Sequence, residues 1–149
     1  MPNEKMTAQQ VLELSKEYEL AGNEVSRFHN SNFQSFTAAE HKELDEKEES
    51  FRKVSRALIS KAESIVWENL QTTLKSIREA TDKMRKIRAH LLNVKRALTF
   101  ATAAITLGTA ILTGNPIGIA TASLQVVDTV NTFRDEDDEA ARAEDEAVG

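Results

Sequence analysis

From Ala97 to Val127 the chain runs 31 residues without a charged side chain, although 29% of its residues are charged. Within that run lie Leu98, Phe100, Ile105, Leu107, Ile111, Leu112, Ile117, Ile119, Leu124, Val126 and Val127, and Gly114-Asn115-Pro116 interrupts it near the middle. Proline suits the first turn of a helix and glycine the end of one, so the run reads as two apolar helices joined by a tight turn. The arms, Ala97–Thr113 and Ile117–Phe133, have 17 residues each and would reach about 25 Å, at or just below the ~30 Å hydrocarbon core of a bilayer. A single straight span would leave the backbone groups of the turn without partners at mid-membrane. The constraint is therefore a helical hairpin poised between a protein core and a lipid core. Its six threonines and seven alanines make it only moderately apolar, which suits conditional insertion or soluble packing.

The rest of the chain sets the class. At 149 residues it has the length of one domain, residues 1–149, with a single modest core. Strand formers are scarce, and Pro2 and Pro116 are the only prolines, so the expected fold is all-α. The absence of cysteine removes disulfides, thiolate metal sites and a cysteine nucleophile, while leaving the compartment open. Met1-Pro2-Asn3-Glu4-Lys5 lacks the basic start and apolar stretch of a cleavable export signal. Localisation stays undetermined, with membrane association as one option. The net charge of −5 argues against a general nucleic-acid binder. That charge is uneven, at +6 over Lys75–Arg96 and −7 over Asp135–Glu146.

Helix 1 is expected over 7–30. Thr7 to Gln10 is a capping-box pattern, Met6 and Val11 are placed as a hydrophobic staple, and Val11, Leu14, Tyr18, Ala21, Val25 and Phe28 form one narrow stripe. A second box at Thr37 to Glu40 opens helix 2. No Gly or Pro follows until Gly108, and beyond its first step, from Ile59 to Val66, the seam to Leu112 advances by three or four, so the pattern predicts a long helix 2 over 37–113. If continuous, it would be a rod about 115 Å long. The architecture expected is thus extended antiparallel helical hairpins or a coiled-coil rod on one long central helix, with helix 3 over 117–133 and an acidic tail over 134–149. An interruption near 72–82 would instead make a four-helix bundle. In the rod, the stripe from Ile59 to Ile77 has no intrachain partner and calls for self-association.

Catalytic, cofactor and metal sites are not expected. His29, His41 and His90 are scattered in sequence, no zincin, P-loop, dinucleotide or serine-elbow pattern is present, and Glu13/Glu17 and Glu43/Glu46 read as solvated helix faces. Trp67 lies on the seam and reads as core before membrane anchor. The basic flank Lys83, Arg85, Lys86, Arg88, Lys95 and Arg96 adjoins the uncharged run, and it reads as an anchor to an anionic membrane surface or as a solvated helix face. Without interleaved aromatic residues, it makes nucleic acid an unlikely partner. Inside the run Thr99, Thr102, Thr106, Thr109 and Thr113 repeat at helical spacing, and Thr121, Gln125 and Asp128 continue the pattern on the second arm. Hydroxyls cost far less in hydrocarbon than charges, about 2.5–3.5 kcal/mol each at the centre on insertion scales.

A long amphipathic helix leading into an uncharged hairpin, over about Ile77 to Phe133, resembles the α-helical pore-forming proteins, such as the cytolysin A type toxins and the helical cell-death execution domains. The resemblance implies a soluble form that hides the hairpin, a trigger, and oligomeric insertion. The function expected is that of a membrane-interacting, non-enzymatic helical protein. The alternative is a soluble coiled-coil adaptor whose hairpin is covered by a helical protein partner or by self-association. The hairpin turn further predicts that facing residue numbers sum to about 230, which sets the acidic tail against the basic segment.

Overall fold

Both helix starts marked by local chemistry are present. Thr7 Oγ1 accepts from the Gln10 N–H at 3.1 Å while the Gln10 side chain accepts from the Thr7 N–H at 2.9 Å. Thr37 and Glu40 repeat the arrangement at the same distances. The computed structural model describes residues 4–148, with side chains through Asp145. Within it the boxes open α1 (Ala8–Ser31) and α2 (Ala38–Lys61). Met6 and Val11, the expected staple, are both buried.

The expected unbroken helix over 37–113 is instead three helices: α2, α3 (Leu70–Ile87) and α4 (Val94–Thr113). Neither break falls at 72–82, which lies inside α3. The first begins with a 3-10 turn at Ala62–Ser64 and passes into a short strand, β2 (Val66–Trp67), which pairs antiparallel with β1 (Glu4–Lys5). Ile65-Val66-Trp67 is a β-branched and aromatic triplet that fits extended backbone better than helix. Asn69 follows with φ 126°. The second break turns on Leu92 at φ 57°, a left-handed conformation costing on the order of 1 kcal/mol for such a residue. Asn93 then caps α4, its side chain accepting from the Arg96 N–H at 2.8 Å.

The two breaks turn the rod into a five-helix bundle. The pairs Ser15–Ser55 and His29–His41 make α1 and α2 an antiparallel hairpin. α2 lies along α4, α4 along α5 (Pro116–Val148), α5 along α3, and α3 closes back on α1. Tyr18 sits at the centre and donates to the Ala104 carbonyl at 2.6 Å. Complete burial, with the Glu17 carboxylate adjacent, pushes its phenol well above the usual value of 10.0. Close approach there depends on Gly108, where a Cβ would stand 2.5 Å from Val54 Cγ1 and 3.0 Å from Tyr18 Cε1.

Refolding the rod also removes the argument for self-association. Leu70, Leu74 and Ile77 are buried within the chain, Ile65 is half-buried, and on that stripe Ile59 and Val66 remain exposed. Trp67 is core, as its place on the seam suggested. Helix 3 was expected over 117–133, yet α5 continues through the acidic segment to Val148 as one helix of 33 residues, about 50 Å long. Residues from Arg134 through Asp145 are exposed. Gly149, the last position of the expected tail, lies outside the described residues.

Candidate functional site

The uncharged hairpin is built by local signals at both ends of its turn. Gly114 ends α4 at φ 71°, and Asn115 Oδ1 accepts from the Ile117 N–H at 3.0 Å as Pro116 begins α5. Its apolar residues divide by position. Phe100, Leu107, Ile111, Ile119 and Val126 are buried, Leu98, Ile105, Leu112 and Val127 are half-buried, and Ile117 and Leu124 are 78% and 60% exposed. The buried set faces α1, α2 and α3, so half of the hairpin is the core of the bundle.

The polar stripe is entirely outside. Thr99, Thr102, Thr106, Thr109, Thr113, Thr121, Gln125 and Asp128 are all exposed. Thr106, Thr109, Thr113, Thr121 and Gln125 join Ile105 and Gly118 along a shallow groove of about 540 Å³ between α4 and α5. The Thr106 hydroxyl donates to the Thr102 carbonyl at 2.7 Å, Thr113 to Ala110 at 2.7 Å, and Thr121 to Ile117 at 3.0 Å. These donors are satisfied by their own helices, which lowers the cost of moving them out of water.

The basic flank is not one surface. Arg96 is 5% exposed and bonds Asp137 at 3.1 Å and Glu136 at 3.2 Å, with its guanidinium 4.6 Å from the Phe133 ring centroid. Arg88 and Arg85 both reach the buried Glu17 on α1, and Lys83 donates to Asn131 at 3.1 Å. Lys86 and Lys95 are exposed. These cations, neighbours along one helix in the expected long helix 2, are instead divided by the loop after α3, and four of them are paired within the fold. The antiparallel register is close to that expected, because Arg96 meets Glu136 and Asp137.

A second site was not visible as a unit in the sequence. His29 Nδ1 lies 2.9 Å from Glu48 Oε2 and 3.6 Å from Asp45 Oδ1, and His29 Nε2 is 2.7 Å from His41 Nδ1. Ser26 donates to the other oxygen of Glu48. Phe33 and Phe36 flank the two imidazoles, with centroids 4.3 Å (Phe33 to His41) and 5.9 Å (Phe36 to His29) away. The residues His29, Asp45 and Glu48 could hold a metal ion. One signal could have found the α2 half, since His41, Asp45 and Glu48 are spaced by four and three on one helix face. No family model, curated protein or solved structure matches the chain.

Proposed function

We propose that the protein engages membranes through its α4–α5 hairpin, which the bundle holds in a water-compatible form. The observation that carries this reading is the outer face of the hairpin, where every exposed residue from Thr99 to Gln125 is uncharged and threonine hydroxyls are bonded to their own helix. Such a face docks on a bilayer at low desolvation cost, and separation of α1–α2 frees the buried half for deeper insertion. Threonine stripes from several copies then meet one another in hydrocarbon, making a pore the end state of association. Exposed Lys86 and Lys95 supply attraction to anionic lipid.

A second reading, a soluble adaptor that receives a partner helix in the α4–α5 groove, is favoured by the burial of the hairpin's apolar half and by the Arg96 ion pairs. Co-sedimentation with anionic and neutral vesicles at low salt separates the two. The membrane reading expects the wild type in the pellet, more with anionic vesicles, and release on Thr106→Glu or Thr121→Glu, exposed changes that leave the bundle intact. A wild type wholly in the supernatant across a range of pH overturns it.

A further inference from the structure

We propose that His29, Asp45 and Glu48, at the α1–α2 turn, form a binding site for one divalent first-row metal ion, for which zinc is the probe. Three ligand atoms from three side chains lie within 4.8 Å of one another. Tetrahedral bonds of about 2.0–2.1 Å place neighbouring ligand atoms roughly 3.3 Å apart, and the separations from His29 Nδ1, 2.9 Å to Glu48 and 3.6 Å to Asp45, bracket that value. Two carboxylates neutralise the charge of the ion. One imidazole with two carboxylates suits zinc, manganese or cobalt better than magnesium or calcium, which prefer all-oxygen sites. The ligands border an open pocket of about 590 Å³ with Phe33 and His41, so a fourth position remains open to water.

The residues behind the ligands match the requirements of such a site. A metal-bound imidazole needs its second nitrogen held by a partner, and His29 Nε2 has His41 Nδ1 at 2.7 Å. Ser26 fixes the Glu48 oxygen that faces away from His29. The Glu48 carboxylate can only accept, so the tautomer that fits the metal-free geometry has the proton on His29 Nδ1 toward Glu48 and leaves Nε2 to accept from His41. With metal on Nδ1, the His29 proton resides on Nε2 and is donated to His41, whose own proton moves to its outer nitrogen. Both imidazoles keep one proton, and the bond between them reverses direction. Because one ligand comes from α1 and two from α2, occupancy also ties the hairpin shut at its turn. None of these residues is used by the membrane reading, so either can fail alone.

The test is calorimetric titration of the full chain, freed of metal by chelator, with zinc chloride, and with magnesium and calcium chlorides in parallel. One zinc per chain is expected, with a raised melting temperature and nitrogen-15 imidazole shifts that place the metal on His29 Nδ1. Asp45→Asn, at a side chain 72% exposed, keeps the fold and lowers affinity tenfold or more. His41→Gln lowers it about ten- to a hundredfold, and His90→Ala leaves it unchanged. Absence of saturable zinc binding overturns the proposal, as does affinity unaltered by Asp45→Asn and His41→Gln in variants with wild-type circular dichroism. Metallation reported at His90 overturns it as well.

Discussion

The α1–α2 and α4–α5 hairpins are built alike and turn opposite surfaces to the water. Each is an antiparallel pair with apolar stripes inside and a side-chain cap at a helix start. On α1–α2 the outer face carries Lys16, Glu19, Arg27, Lys42, Glu43, Glu46, Glu49, Arg52, Lys53 and Arg56, all exposed. Ion pairs such as Arg52–Glu49 at 2.8 Å are fully exposed and screened by solvent, so their main effect is hydration. On α4–α5 the corresponding positions between Thr99 and Gln125 are threonines and glutamine, and charge returns only at Asp128 and along the end of α5. Helix formation and helix surroundings are thus encoded separately: the first hairpin is specified for water on its outside, while the second tolerates either water or a less polar neighbour.

The contact between the hairpins is where the comparison breaks most easily. Gly108→Val puts a branched side chain where even a Cβ stands 2.5 Å from Val54, and it should cost about 3 kcal/mol, the upper part of the usual range for overpacking. Urea unfolding measures the loss. If the α4–α5 hairpin is held back by α1–α2, the same variant should bind anionic vesicles more strongly than the wild type, and equal binding would mean that separation of the hairpins is not the controlling step.

Alkaline titration sharpens the comparison at the buried Tyr18, which joins α1 to α4. Its phenol keeps its proton in the folded state well above 10.0, the value at which it ionises when exposed. Below pH 10 both states hold the proton and the stabilisation is complete. Above it the unfolded state binds fewer protons than the folded one, so stability falls as pH rises, by at most about 1.4 kcal/mol per pH unit from this group. Tyr18→Phe should lose about 1 kcal/mol at neutral pH through the missing hydrogen bond to Ala104. Its stability should also fall less steeply than that of the wild type above pH 10, and parallel curves would show that Tyr18 does not carry the alkaline loss.

The smallest effect is expected at the end of α5. Deleting Asp135–Gly149 removes Glu136 and Asp137, which are themselves well exposed partners of Arg96, so thermal stability should fall by under about 1 kcal/mol. Net charge becomes more positive and Arg96 loses its counter-ions, so binding to anionic vesicles at low salt should rise. Unchanged or weaker binding would make the acidic helix a solubilising extension.

What proved legible without a structure was local. Thr7 with Gln10, Thr37 with Glu40 and Gly114-Asn115-Pro116 act over three or four residues, so their hydrogen bonds are implied by neighbours in the chain. The all-α class and the antiparallel hairpin at Gly114 follow from the same short-range chemistry. The two breaks did not follow, because a three-four seam continues whether the next helix extends the last one or reverses on it: Leu58 near the end of α2 and Leu70 at the start of α3 are both buried, on two different helices. Asn69 and Asn93, residue types suited to turns and helix starts, are the local signals that lie at those reversals.

Sequence by itself determined the all-α class, the helix starts at Thr7, Thr37 and Pro116, the uncharged run and its turn, and the threonine stripe along it. Tertiary structure alone decided which half of that run is core, which cations remain free, and that His29 meets His41, Asp45 and Glu48. The reason is physical: caps and periodicity are set by interactions within one turn of helix, whereas burial and convergence of distant side chains depend on where the chain reverses. Those reversals, at residues 62–69 and 88–93, are favoured by the apolar surface they cover across the bundle, a quantity that no short window of residues contains.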